Sequence, residues 1–233
     1  MRCKRFEYLN IIVSECYEIV SSGIEKCKIL YYTKSNNKKL STKGGQVMDF
    51  KSIKQIREWL IIVKDVGDVL QEKGWIDLPD NLKFNGALEY DLMRFFGYLI
   101  ASDGYVGRGE CDMFTAITGY ECGIDSLKEL IEDNNLYSYD FESTPPISLK
   151  LLINALNKYI VQDPDKDELV GTTIGAYIAT FALSGLLVIS SDQSVTYTEK
   201  NDLRTYCQTI EGYIRTQSYV ELPDEFKNIL DNI

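Results

Sequence analysis

The 233-residue chain contains no histidine. That single absence removes Ser-His-Asp and Cys-His nucleophilic catalysis, imidazole metal sites and histidine pH switches. Proline is scarce, at five residues, and the sixteen glycines follow no period, which excludes collagenous and linker-dominated architectures. The six cysteines (Cys3, Cys16, Cys27, Cys111, Cys122 and Cys207) form no C-x-x-C pair, so zinc ribbons and thioredoxin-type redox motifs have no support. Basic charge is also in deficit. Twenty-five Lys and Arg against 35 Asp and Glu leave a net −10, the wrong sign for gripping phosphate backbones, so no nucleic-acid partner is expected. No P-loop, dinucleotide glycine motif or nucleophile elbow is present, and the chain reads as non-enzymatic.

What is present is the composition of a soluble globular protein, 45% hydrophobic and 26% charged, and six cysteines expected to be buried thiols make a cytoplasmic location the expectation. Cys16/Cys27 and Cys111/Cys122 are each eleven residues apart, a spacing that lets each pair share one helix face as buried thiols. The first apolar stretch is interrupted by Glu7, Glu15 and Glu18, where a signal peptide would need an unbroken run. Residues 169–191, LVGTTIGAYIATFALSGLLVISS, carry no charge and are long enough to span a bilayer. They lack flanking Lys or Arg anchors and contain several hydroxyls, so a buried central helix is expected instead of a membrane span. Gly171, Gly175 and Ala179, four apart, leave room for another helix to approach closely.

Charge divides the chain near residue 46. Residues 1–46 hold nine Lys and Arg against four acids, whereas 47–233 hold sixteen against 31. The expected organisation is a basic N-terminal helical arm and linker over 1–46, then an acidic helical domain over 47–233. Lys43-Gly44-Gly45 can be encoded as a bacterial ribosome-binding sequence ahead of Met48, which makes Met48 an alternative start.

Apolar residues at three–four spacing predict helices over 51–73, 88–100, 112–119, 124–133, 149–160, 169–191 and 198–217, with a last one over 225–233. WIDLPD at 75–80 returns as YVELPD at 219–224, each expected to put proline near a helix start with an acid in the first turn. Tyr137-Ser-Tyr-Asp-Phe lies in a polar loop and could present aromatics to a partner. The predicted class is all-α, a helical bundle built around a pseudo-twofold repeat of helix–turn–helix units.

The repeat aligns LIASDGYVGRGE, residues 99–110, with VISSDQSVTYTE, residues 188–199, at a constant offset of 89. Ile100/Ile189, Ser102/Ser191, Asp103/Asp192, Val106/Val195 and Glu110/Glu199 coincide, and Phe114/Leu203 match four residues further on. The order resembles half a calcium loop, but Leu99, Ala101, Val188 and Ser190 occupy positions that should supply oxygen ligands, so an EF-hand is excluded. The residues themselves admit a purely structural reading, with Asp satisfying turn amides, Val plugging the core and Glu opening a helix.

This duplicated ASDG-x-V-x-x-x-E hairpin in an acidic helical domain resembles the bacterial tellurite-resistance TerB-like family, over residues 85–217. The resemblance implies a module of stress or phage-defence systems that binds a partner protein. It also implies a metal-associated site at Asp103, Glu110, Asp192 and Glu199, although copy two has Gln193 where copy one has Gly104. With oxygen ligands alone the cofactor would be Mg²⁺, Ca²⁺ or Mn²⁺. The alternative expectation is an acidic immunity-type protein that neutralises a toxin by occluding its basic site.

Overall fold

The computed structural model describes residues 50–79, 82–102, 104–121, 123–133, 136, 144–191, 195–224 and 226. All of them fall in the second of two units, Asp49–Ile233. The basic arm, Cys16 and Cys27, the Tyr137–Phe141 loop and most of the last predicted helix lie outside the described residues. Seven α-helices are described: α1 (Phe50–Glu72), α2 (Phe84–Ala101), α3 (Arg108–Thr118), α4 (Ile124–Asp133), α5 (Ile147–Gln162), α6 (Asp167–Ile189) and α7 (Tyr197–Gln217). A 3₁₀ turn, Pro164–Lys166, leads into α6, and no strand occurs among the described residues. The all-α class is thus as the apolar spacing predicts.

Helix α6, uncharged from Leu169 onward, is the axis of the bundle, and α1, α2, α3, α5 and α7 all pack on it. Eighteen of its 23 residues are buried, including Thr172, Thr173, Thr180 and Ser184. A hydroxyl in such a helix needs an acceptor. Thr173 and Thr180 find one in the carbonyls of Leu169 and Ala176, one turn back, at 2.9 and 2.7 Å. Aromatic rings lock the neighbouring helices to this axis. Phe181 of α6 meets Phe95 of α2 at 5.3 Å and Tyr206 of α7 at 5.8 Å, and those two rings stack on each other at 4.4 Å.

Close helix approach depends on glycines, though not in the way the 171–175–179 stripe predicts. A methyl on Gly185 would sit 2.4 Å from Leu203 and 2.7 Å from Phe95, so this glycine is what lets α2 and α7 reach α6. Gly171 and Gly175 receive none of the seven helices. They lie under the C-terminal segment, where a Cβ on Gly171 would be 3.3 Å from the Glu221 carbonyl and one on Gly175 would sit 2.2 Å from the Phe226 ring.

Of the two leucine-proline-aspartate turns, the second opens helix at Asp224 directly after Pro223 as expected, but the first does not. The Pro79 carbonyl accepts from Leu82, but α2 opens only at Phe84 and has no acid in its first turn. The Gln71 side chain supplies the missing cap, its Oε1 accepting from the Phe84 amide at 2.8 Å while its Nε2 donates to the Leu82 carbonyl. Helix α3 ends at Thr118 with Gly119 in the left-handed region (φ 81°); Cys122, expected to share a face with Cys111, lies outside the described residues.

Candidate functional site

The duplicated turns place matching residues in matching hydrogen bonds, although the C-cap of α6 is Ser190, one residue before the match to Ser102. In copy one Ser102 caps α2, its amide donating to the Leu99 carbonyl at 3.2 Å. In copy two the Ser191 amide donates to the Val188 carbonyl at 3.0 Å, and its hydroxyl donates to the same oxygen at 2.7 Å. Gly107 and Thr196, also 89 apart, are the N-caps of α3 and α7. Three residues on, the carboxylates turn back. Glu110 Oε2 accepts from the Gly107 amide at 2.8 Å, and Glu199 Oε2 accepts from the Thr196 amide at 2.6 Å and its hydroxyl at 2.8 Å. Thr196 completes a capping box by accepting from the Glu199 amide at 3.2 Å, whereas Gly107 has no side chain with which to do so.

Glu110 and Glu199 are both buried, at 1% and 2% exposure. Asp103 and Asp192, their expected companions, lie outside the described residues. Among the described residues no group of three Cys, Asp or Glu side chains is arranged to hold a metal. The repeated valine is a mismatch: Val106 is buried as a plug, but Val195 is 37% exposed. Copy two therefore keeps the caps without the plug.

A second polar constellation has no counterpart in any local sequence pattern. Asp91 of α2 faces the N-terminus of α5, where its Oδ2 accepts from the Ser148 amide at 2.7 Å and the Ser148 hydroxyl at 2.6 Å. The Ser148 hydroxyl also meets Tyr177 Oη of α6 at 2.8 Å. All three side chains are buried. Burial pushes the Asp91 carboxyl above the usual carboxylate range, against the opposing pull of the Ser148 and Ile147 bonds and Arg94. Tyr177 is pushed well above the usual phenol value by its own burial and by the nearby Asp91. This cluster caps α5 from another helix and joins three helices.

Cys111 and Cys207 are buried thiols outside any disulfide. Burial, with Glu211 nearby, pushes Cys207 up to about 12, which keeps it a thiol instead of a nucleophilic thiolate.

The open site is a cleft of about 270 Å³ between α1, α2 and the end of α3. Its apolar wall is formed by Leu60, Leu92 and Ile117, with Ile61 (55% exposed) on the rim. Arg57 closes one end, donating from Nε and Nη2 to the Ala116 carbonyl at 3.0 and 2.5 Å and thereby satisfying an orphan carbonyl in the last turn of α3. Along the other side Glu89 accepts from Lys64 Nζ at 2.6 Å and from Tyr120 Oη at 3.2 Å. Tyr120 stands half exposed just past the left-handed Gly119. The cleft thus joins exposed apolar side chains to charges whose directions are already fixed. Sequence spacing misses it because its residues come from three separated segments; only the Gly-Tyr step after α3 marks its edge.

The chain matches no protein-family model, no curated protein and no solved structure.

Proposed function

We propose that the chain is a non-enzymatic, TerB-like helical module that works by binding a partner protein through the α1–α2–α3 cleft. The observation that carries this reading is the pairing of exposed Ile61 and Tyr120 with the prearranged Arg57, Lys64 and Glu89. Aromatic and apolar anchors ringed by oriented polar groups are what a protein-binding surface needs, because little entropy is lost in fixing them. The partner suited to it presents an apolar side chain beside a carboxylate that faces Arg57 and Lys64. The equivalent caps at Glu110 and Glu199 support the duplicated-hairpin part of the reading.

A photo-crosslinking residue placed at Ile61 is expected to capture a discrete partner in the cell, and one at Val161, exposed on α5, is not. Ile61→Asp should abolish that capture while leaving the helical circular dichroism unchanged. Equal capture from both positions would sink the docking site. Divalent-ion binding, proposed at Asp103, Glu110, Asp192 and Glu199, is tested by calorimetry with Ca²⁺, Mg²⁺ and Mn²⁺ on wild type and on an Asp103→Asn/Asp192→Asn variant. Heat that persists in the variant, or is absent from the wild type, removes the metal from the proposal.

The immunity-type alternative draws on the surplus of fifteen negative charges over residues 47–233. It requires association with a basic enzyme that slows steeply with added salt.

A further inference from the structure

The C-terminal residues that cover Gly171 and Gly175 begin as a non-helical strap. The Ser218 amide makes the last bond of α7, to the Ile214 carbonyl at 2.9 Å, residues 219–223 lie outside helix, and helix resumes at Asp224, with the Pro223 carbonyl accepting from the Phe226 amide at 3.0 Å. At the start of the strap Asn157 of α5 ties it to the body. Its Oδ1 accepts from the Tyr219 amide at 3.0 Å, and its Nδ2 donates to the Gln217 carbonyl at 2.6 Å. The Ser218 hydroxyl closes a local turn with Val220. Among the described residues, Leu222 and Phe226 anchor the strap, both buried. Phe226 sits edge-on to Trp59 of α1 at 6.4 Å and fills the notch over Gly175. Along its length the strap is packed on one face only. Clefts of about 390 and 370 Å³ run beside it, and Tyr219, Val220 and Glu221 line both.

A non-helical segment tied at its start by one asparagine, packed on one face and bordered by open space on both edges has the features of a unit that opens below the global unfolding limit. We propose that this strap is a detachable latch: residues 218–224 and Phe226 release together from the Gly171–Gly175 face of α6 and the Trp59 face of α1, exposing an apolar groove while the bundle stays folded. The groove's occupant is this chain's own C-terminal segment. This inference does not depend on the α1–α2–α3 cleft, which lies on other residues.

Hydrogen exchange followed by mass spectrometry on the full chain tests the latch. Amides of 219–224 are expected to exchange through an opening that leaves α6 protected. Asn157→Ala should speed that exchange by at least about tenfold without changing exchange in α6, since it removes the tie and no core contact. Gly175→Ala puts a methyl where the Phe226 ring lies. In a Trp75→Phe background, where Trp59 is the only tryptophan, it should shift emission to the red with unchanged helical circular dichroism. In Phe226→Ala, an excess of a synthetic peptide of residues 217–230 should restore the Trp59 emission. Strap amides that exchange only with global unfolding would overturn the latch. So would unchanged exchange in Asn157→Ala, or a peptide without effect on Trp59.

Discussion

Asp91 shows how two opposing effects on one residue are decided. Three donors aimed at a carboxylate favour its ionised form, yet burial among α2, α5 and α6 outweighs them and raises its pKa above the ordinary 3.8. A raised value in the fold means that protonation favours the folded state. Its stabilising contribution is full below about pH 4 and is lost as pH rises through the raised value. Asp91→Asn removes this titration, so the melting-temperature gap between wild type and variant should move in favour of wild type as pH falls from 7 to about 4. A gap that moves the other way would show the hydrogen bonds, and not burial, to dominate. Nothing in the sequence marks this site. Asp91 and Ser148 are 57 residues apart and Tyr177 a further 29, so only the helix packing joins them. Glu110 and Glu199 were legible as a pair because they repeat at a fixed offset, but their capping role required the position of the N-caps Gly107 and Thr196. The same roles give a test. Glu110→Gln and Glu199→Gln keep an oxygen for the N-cap amide and should cost less than the alanine variants, whose loss of a cap is worth about 0.5–2 kcal/mol each in denaturant melts. A ligand role would instead make the Gln variants lose any divalent-ion heat entirely.

Helices α6 and α7 allow opposite outcomes from the same substitution. Alanine raises intrinsic helix stability over glycine by about 0.8–1 kcal/mol. At Gly212 of α7 nothing lies within 4 Å of the new methyl, so Gly212→Ala should stabilise by about that amount. At Gly185 of α6 the methyl collides with Leu203, Phe95 and Leu99, and overpacking of about 1–3 kcal/mol wins. Paired urea melts check both, and a stabilised Gly185→Ala would mean that α2 and α7 are free to step back. The elements themselves were largely written in the apolar spacing. The predicted 124–133 helix agrees with α4 (Ile124–Asp133), and 51–73 and 198–217 fall within a residue of α1 and α7 at each end. The prediction for α3 begins four residues late, at 112, because Arg108-Gly109-Glu110 has no apolar period and the helix starts from a cap. The use of Gly171 and Gly175 was not legible either. Small residues at four-residue spacing announce a close approach without saying whether a helix or a strap makes it.

At the scale of the whole molecule the acidic excess amounts to ten charges. Ion pairs among the described residues include Lys54–Glu58, Lys64–Glu89 and Arg215–Glu211, each with at least one partly exposed partner. Exposed pairs of this kind contribute about 0–1 kcal/mol each, too little to offset the self-repulsion of a chain carrying ten net negative charges. That repulsion is long-range, and a screening length of roughly 10 Å at 0.1 M salt is short against the dimensions of the bundle. Sodium chloride between about 0.02 and 0.3 M should therefore raise the melting temperature, since the unfolded chain spreads the same charge more widely. The shift should be larger at pH 7 than near pH 4.7, where partial protonation of the carboxylates brings the net charge to about zero. A melting temperature that falls with salt would mean that the attractive pairs outweigh the excess. In that case the negative charge over residues 47–233 would be locally neutralised, and the immunity-type reading would lose the field it needs to steer a basic partner.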